Sequence, residues 1–288
     1  VAKSFDTLPS VDQLRNEELQ GLNAELISTS AYWRVEIKDE VESTQSEFNL
    51  AASGSDIREG QVIVAEYQSK GRGRLDRSFE SQKYLALTFS FLLKPTRGQV
   101  EWSWLPLLIG SSVVEAINGV LQIGSDNSDG ADPYKTFTKW PNDIVTPDGL
   151  KLGGILLEQR DSYLIAGIGI NVHHKSDQLP VPHAISLDLF SKRRNQRELI
   201  LSEILKKIED RYLLWSSLGT TDGEKKRYQE SSLTLGSSVV AQIPGGRQIS
   251  GIALDIDLNG SLLIQTSEKV ETVSAGDVIH ARGNTQIR

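Results

Sequence analysis

Cysteine and methionine are both missing from this 288-residue chain. Without a thiol there is no disulfide, no thiolate metal ligand and no route that passes an acyl group through an enzyme thioester. Four histidines are too few for a His-rich metal centre, and the adjacent His173 and His174 point to opposite faces if they lie on a strand. No run approaches the ~20 uninterrupted apolar residues of a membrane helix, and the N-terminus lacks a basic patch followed by an apolar stretch. The expectation is a soluble, unexported, cytoplasmic protein. A positive charge balance is lacking too. Thirty-one Lys and Arg against 38 Asp and Glu leave −7, which argues against an overall grip on nucleic acid or on an anionic membrane. Neither glycine signature for nucleotides is complete: GxxxxGK[ST] is absent, and in Gly167–Val172 valine stands at the third glycine of GxGxxG with no helix after it. If ATP binds, a non-Walker site holds it.

What is present is an ordinary globular composition, 38% hydrophobic and 24% charged, in a length that suits one large domain with a small appendage. An amphipathic helical stretch runs from Ser10 to Ile27. Short strands follow at Trp33–Lys38, Gln61–Glu66 and Lys83–Leu93, the last with Leu85, Leu87, Phe89, Phe91 and Leu93 alternating, which predicts one strongly buried side. A helix over Trp104–Leu121 leads to a polar, glycine-rich surface excursion at Gly124–Pro133, expected to be mobile. Further strands read at Phe137–Lys139, Lys151–Gln159 and Tyr163–Val172, then a long amphipathic helix at Asn195–Leu218. Strands and helices mix without regular alternation, so the fold class is α+β. From about Ser231, short β segments broken by Pro244-Gly245-Gly246 and by the hairpin signal Asn259-Gly260 read as a small β-barrel. The expected division is a helical extension at 1–32, a large α+β domain at 33–230 and a β domain at 231–288.

The densest charge feature is Lys70-Gly71-Arg72-Gly73-Arg74-Leu75-Asp76-Arg77, four cations in eight residues of an acidic chain. Guanidiniums grip phosphate or carboxylate in pairs of bonds, and glycine lets the backbone come close to a ligand. The segment reads as a flexible loop that folds over an anion, with a solvated basic turn or a minor-groove reader as the alternatives. Lys139-Trp140-Pro141-Asn142-Asp143 places a polar turn at a strand end, and Lys151-Leu152-Gly153-Gly154 puts a lysine just before bare backbone. Alone, Pro-Asn-Asp is a turn and Gly-Gly a bulge; two cationic motifs on neighbouring strands strengthen a binding site. Gly167-Ile168-Gly169-Ile170-Asn171 reads alone as a glycine-relieved core strand, and Ser43-Thr44-Gln45 as a helix N-cap.

In this order and spacing, Glu42–Gln45, Gln68 with Gly71–Arg74, Lys139–Asp143, Lys151–Glu158, Gly167–Val172 and Val273–Val278 resemble biotin protein ligase from about residue 33 to the C-terminus. The resemblance implies a mixed-sheet catalytic domain like that of class II aminoacyl-tRNA synthetases, with a C-terminal SH3-like barrel. It implies that biotin and MgATP give biotinyl-5′-AMP and pyrophosphate, and that a lysine of a biotin carboxyl carrier domain, from an acyl-CoA carboxylase or related biotin-dependent carboxylase, then takes the biotin. The thiol-free composition fits an acyl group carried as an adenylate. By carry-over, Lys151, Arg72 and Asp143 are catalytic. Ser43, Thr44, Gln45, Gln68, Gly71, Arg72, Gly73, Arg74, Lys151, Gly153, Gly154 and Gly169 surround biotin. ATP meets Arg72, Arg74, Arg77, Phe79, Lys139, Asn142, Lys151 and Asn171. No metal ligand is assigned for Mg2+, and neither DNA nor membrane is expected as a partner. The first 32 residues are too short for a winged DNA-binding domain, so repressor activity is not expected. The family loop carries glycine and tryptophan where Asp76 and Phe79 stand here. Two readings compete: a lipoate or octanoyl ligase-transferase on the same fold, and a non-catalytic biotin-responsive regulatory protein.

Overall fold

The computed structural model describes residues 19–52, 57–74, 77–79, 82–123, 134–160, 162–274 and 276–280. The excursion at 124–133, Asp76 in the basic loop and the first part of the expected N-terminal helix lie outside the described residues. Over 19–27 the helix reading is corrected, since only Ala24–Leu26 form a 3-10 turn. Side chains of other elements hold this strap by its backbone: Asn23 N donates to Glu198 at 3.0 Å, Ser28 N to the Ser202 hydroxyl at 3.0 Å, and Leu22 N to Glu66. Amide groups satisfied in that way gain little from helical bonds, and Leu26, apolar on the expected buried face, stays exposed.

Seven described strands form one mixed sheet: β1 (Arg34–Lys38), β2 (Gln61–Ala65), β3 (Ala86–Leu93), β4 (Phe137–Lys139), β5 (Asp143–Val145), β6 (Lys151–Gln159) and β7 (Leu164–Asn171), in the order β1-β2-β3-β7-β6-β5-β4. Only β1 and β2 run parallel. One face of the sheet packs on α2 (Leu105–Gln122) and α4 (Arg197–Leu218), which also pack on each other. There Leu87, Phe89 and Phe91 meet Trp104, Leu108, Ile204, Leu205 and Ile208, all fully buried. The segment Gln99–Gln122 is apolar and long enough to cross a membrane by composition, but 78% of its most apolar window is buried inside the fold, where it serves as a core helix.

The one-sided reading of β3 needs correction. All eight of its positions are buried, because α1 (Thr44–Ala52) lies across the second face and seals Phe48 against Ile63, Leu92 and Ile165. On that face β3 presents Thr88 and Ser90 as well, hydroxyls that a purely apolar interior would not accept.

A short α3 (Leu187–Ser191) and α5 (Asp222–Ser231) complete the helices described. Neither α5 nor β5 is among the elements expected from the sequence. Helix α5 buries only Glu224 and Tyr228, so it lacks an apolar stripe; Thr221 caps it by accepting from Glu224 N, and buried Arg211 pairs with Glu224. The chain ends in an antiparallel sheet of five described strands, β8 (Ser238–Gln242), β9 (Gln248–Ile256), β10 (Leu262–Gln265), β11 (Val270–Val273) and β12 (Asp277–His280), ordered β11-β10-β9-β8-β12. Asn259-Gly260 does lie in the β9–β10 turn, but the turn spans Asp257–Ser261. The Asp257 carboxylate accepts from Asn259 N and Ser261 N, both at 2.8 Å, and Gly260 takes φ +77°.

His173 and His174 follow β7 instead of lying on it. His174 is 1% exposed, and burial pushes its imidazole down to about 4; burial lowers His173 as well. A histidine kept neutral by burial stabilises the fold above its unfolded pKa of about 6.5, and that stability is lost as pH falls toward the folded value. Urea unfolding should therefore show a loss on the order of 2–3 kcal/mol between pH 7 and pH 4 attributable to His174, and His174→Asn should flatten this part of the profile. An unchanged profile in the variant would contradict the assignment.

Candidate active site

On the α1 side of the sheet opens a cleft of about 740 Å³. Its closed end is polar and buried. The start of α1 supplies Ser43, Thr44 and Gln45, none more than 4% exposed. Thr44 N donates to the Gln68 carbonyl oxygen at 2.7 Å, its hydroxyl lies 2.7 Å from that of Ser90, and the Gln45 amide donates to Leu156 O at 2.9 Å. An amide at a helix start has no partner within the helix, and here the Gln68 side chain satisfies it.

Bare backbone forms the floor. Gly154 of β6 sits opposite Gly169 of β7, and Leu156 opposite Gly167. A methyl on Gly169 would lie 2.7 Å from the Phe79 ring, so that ring covers Gly169 directly. On Gly167 a methyl would press Gln45 and Ser90 at 3.1–3.2 Å. Gly154 is open, with the Asp143 carboxylate and the Lys151 ammonium each 3.6 Å from the place of its missing Cβ. Gly153 answers to a different constraint, since its Cβ would fall 2.3 Å from the Gly169 carbonyl oxygen.

The described residues on either side of the basic segment pair with each other as the two arms of a hairpin. Gly73 N donates to Arg77 O at 2.7 Å, Phe79 N donates to Gly71 O at 2.9 Å, and Arg72 bridges Ser78. Gly71 is needed because its Cβ would lie 2.1 Å from Phe79 O. It is the one expected site residue that does not line the cleft; Gly73, Arg72, Arg74, Arg77 and Phe79 all do. Asp76 lies outside the described residues, so its pairing is not assigned.

Each cation on which the chemistry was expected to rest has a protein partner. Lys151 Nζ is 2.6 Å from Asp143 Oδ1, and Arg72 is 2.8 Å from Glu158. Arg74 donates to the Asn142 side-chain oxygen at 2.9 Å and to Gly276 O at 3.3 Å, and Arg77 pairs with Asp277. Asn142 is held in turn by donating to Ile155 O at 2.8 Å. The backbone of Lys151 is clamped to the strap before α3: Lys151 N donates to His183 O and Ile185 N to Lys151 O. Asn171, buried at the end of β7, donates to Ile185 O at 3.3 Å, and Lys139 borders the cleft from β4.

Reasoning from sequence missed Thr88 and Ser90, His183 on the strap, and Gln242 and Asp277 from the C-terminal sheet, all of which line the cleft. The hydroxyl residues were a readable signal, since they alternate with Leu87, Phe89 and Phe91 in an otherwise apolar strand. A second cavity of about 520 Å³ shares Arg72, Arg74 and Asn142 with the first and reaches Arg160 and Ser274. The hairpin thus borders both cavities.

The chain is similar to known proteins over most of its length. Residues 39–174 match the biotin/lipoate A/B protein ligase family, and residues 234–281 match the biotin protein ligase C-terminal domain. A biotin–[acetyl-CoA-carboxylase] ligase of Mycobacterium tuberculosis is 32% identical over 91% of this chain and 95% of its own length. The bifunctional ligase/repressor BirA of Bacillus spizizenii is 30% identical over 96% of this chain and 82% of its own. Among solved structures, biotin protein ligase from Aquifex aeolicus in complex with biotin and ATP superposes with a TM-score of 0.71 at 28% identity, covering 86% of this chain and 99% of that one. The chain belongs to the biotin protein ligase family.

Adjacent glycines with different reasons to be glycine give a direct contrast. Gly153→Ala should cost about 1–3 kcal/mol in urea unfolding, because the methyl is driven into neighbouring backbone, whereas Gly154→Ala, which points into open cleft, should keep wild-type stability. Equal losses at both positions would contradict the geometry.

Proposed function

We propose that the cleft joins biotin to ATP and then hands it to a carrier lysine. The enzyme activates biotin with MgATP to biotinyl-5′-AMP and pyrophosphate, and transfers biotin to a lysine of a biotin carboxyl carrier domain. The observation that carries this reading is one slot in which buried hydroxyls and amides, a bare backbone floor and Lys151 succeed one another beneath the arginine hairpin. Biotin has a polar ring system and a tail ending in carboxylate, so it needs few polar anchors at the closed end and a cation at the open one. Ser43, Thr44, Gln45 and Gln68 act as those anchors, while Gly154 lets the ligand lie on backbone that Gly153 and Gly73 help to shape, and Gly169 joins that floor once the Phe79 ring swings off it. Gly71 serves by closing the hairpin.

In the first step a biotin carboxylate oxygen bonds to the α-phosphorus, the bond from that phosphorus to the β-phosphate oxygen breaks, and pyrophosphate leaves. Two anions must meet, so positive charge that strengthens on the pentacoordinate phosphorus lowers the barrier. Lys151 supplies it between carboxylate and α-phosphate. Arg72, Arg74 and Arg77 carry the remaining phosphate charge, and Mg2+ enters with the nucleotide. Lys139, Asn142 and Asn171 border the nucleotide, with Phe79 as a covering ring. In the second step the acceptor amine attacks the acyl carbon, AMP departs with the bonding pair, and the nitrogen loses its proton. Asp143, beside Lys151, orients the incoming lysine.

The name of the M. tuberculosis relative supports a carboxylase carrier as acceptor. We read residues 33–230 as the catalytic unit, 231–288 as the C-terminal domain and 1–32 as an extension. The lipoate reading shares the catalytic family match, but the C-terminal match and the named relatives favour biotin.

ATP–pyrophosphate exchange on the purified chain tests the function. Exchange should require biotin, fail with lipoate, and fall by about 10²-fold or more in Lys151→Ala with the fold retained. Arg72→Ala should release free biotinyl-AMP and weaken biotin binding. Full exchange in Lys151→Ala would remove the mechanism, and exchange driven by lipoate alone would reassign the pocket.

A further inference from the structure

Asp143 and Glu158, which hold Lys151 and Arg72, belong to the same sheet as the cleft floor. Asp277 does not. It opens β12 in the C-terminal sheet, opposite Gln242 of β8, and its carboxylate reaches across to the arginine hairpin, where Arg77 donates to it and Arg74 lies 3.8 Å away. The residue before it makes this reach possible. Gly276 has φ +149°, and a Cβ there would fall 2.4 Å from the Gln242 carbonyl oxygen. A side chain at 276 would push the chain off that carbonyl and carry Asp277 away from the hairpin. The same glycine offers its own carbonyl oxygen to Arg74 at 3.3 Å.

We propose that Asp277 is a positioning residue that acts as the built-in counter-ion of Arg74 and Arg77, occupying the place of the nucleotide's phosphates until the nucleotide displaces it. The inference rests on the assignment of those arginines to phosphate. A triphosphate brought against both guanidiniums also comes against the carboxylate that holds them, and like charges repel in a partly enclosed cleft. Nucleotide binding must therefore break a contact between the hairpin and the C-terminal sheet. The contact is partly solvated, with Arg77 63% and Asp277 26% exposed at the side chain. It is strong enough to hold the hairpin in the free enzyme and weak enough for a polyphosphate to replace. Its cost appears in nucleotide affinity and not in biotin affinity, because the Asp277 carboxylate pairs with Arg77 and Arg74 and with none of Ser43, Thr44, Gln45 and Gln68.

The test is a set of half-saturation measurements in biotin-dependent ATP–pyrophosphate exchange on the full chain. Removing the carboxylate charge in Asp277→Asn should lower the KM for ATP about three- to fivefold at low salt, with the KM for biotin unchanged as the check that the cleft is formed. Asp277→Glu, which keeps the charge, should restore the wild-type KM for ATP. The gain should shrink as salt screens the pair. Arg77→Gln should raise the KM for ATP, and adding Asp277→Asn to it should lower that value by less than it lowers the wild-type one. An unchanged or raised KM for ATP in Asp277→Asn, while Arg77→Gln raises it, would overturn the counter-ion role and leave the phosphate assignment standing. A wild-type KM for ATP in both Arg77→Gln and Arg74→Gln would overturn the phosphate assignment, and the counter-ion role with it.

Discussion

Lys151, Arg72, Arg74 and Arg77 face one cleft, and a partly enclosed cation is costly unless a counter-charge stands beside it. Asp143, Glu158 and Asp277 provide that charge. Much of the architecture around the cleft serves to bring these groups together. Strands β5 and β6 pair so that Asp143 meets Lys151 across Gly154, and the far end of β6 carries Glu158 to the base of the hairpin. Because no pair is fully buried, each is worth little in stability. A carboxylate and a polyphosphate bound side by side can therefore take over the cations without unfolding their surroundings.

The segment Lys139–Asp143 joins the two sheets at this point. Asn142 holds Arg74, Asp143 holds Lys151, and Trp140 points the other way: its indole donates to Gly260 O at 3.1 Å and its backbone N to the Thr234 hydroxyl at 3.0 Å. One five-residue motif thus fixes the cleft's polar groups and seats the C-terminal sheet. That sheet returns to the cleft through Gly276 and Asp277. The C-terminal sheet is thereby part of the cleft wall and not an appendage to it.

Much of this was legible in the amino-acid sequence, for physical reasons that differ by element. The longer strands β1, β2, β3, β6 and β7 and helices α2 and α4 carry strong apolar patterning, and their existence follows from it. Helix α5 escaped because its burial is polar, resting on Glu224 against Arg211, and periodicity of apolar residues is blind to that. Strand β5 escaped because it begins at Asp143, inside a Pro-Asn-Asp segment that reads as a turn. The strap at 19–27 has helical spacing yet is held by side chains from α4 and Glu66, which no local pattern reveals. At the site, the glycine and arginine motifs were visible, but their division of labour was not. Only the fold shows that Gly71 and Gly153 answer to neighbouring backbone, while Gly154 bares the floor and Gly169 makes room for the Phe79 ring. Asp277 lay within a quoted motif, but its role depends on an encounter between residues 200 positions apart.

A crystal structure of this chain with biotinyl-5′-AMP bound would show whether ligand replaces the counter-charges beside Lys151 and Arg72. The β-sheets should stay in place while Lys151 and Arg72 turn from Asp143 and Glu158 to the ligand's acyl-phosphate group, with the adenylate lying over Gly154 and the Phe79 ring displaced from Gly169. Ion pairs left intact beside a ligand seated elsewhere would contradict that replacement.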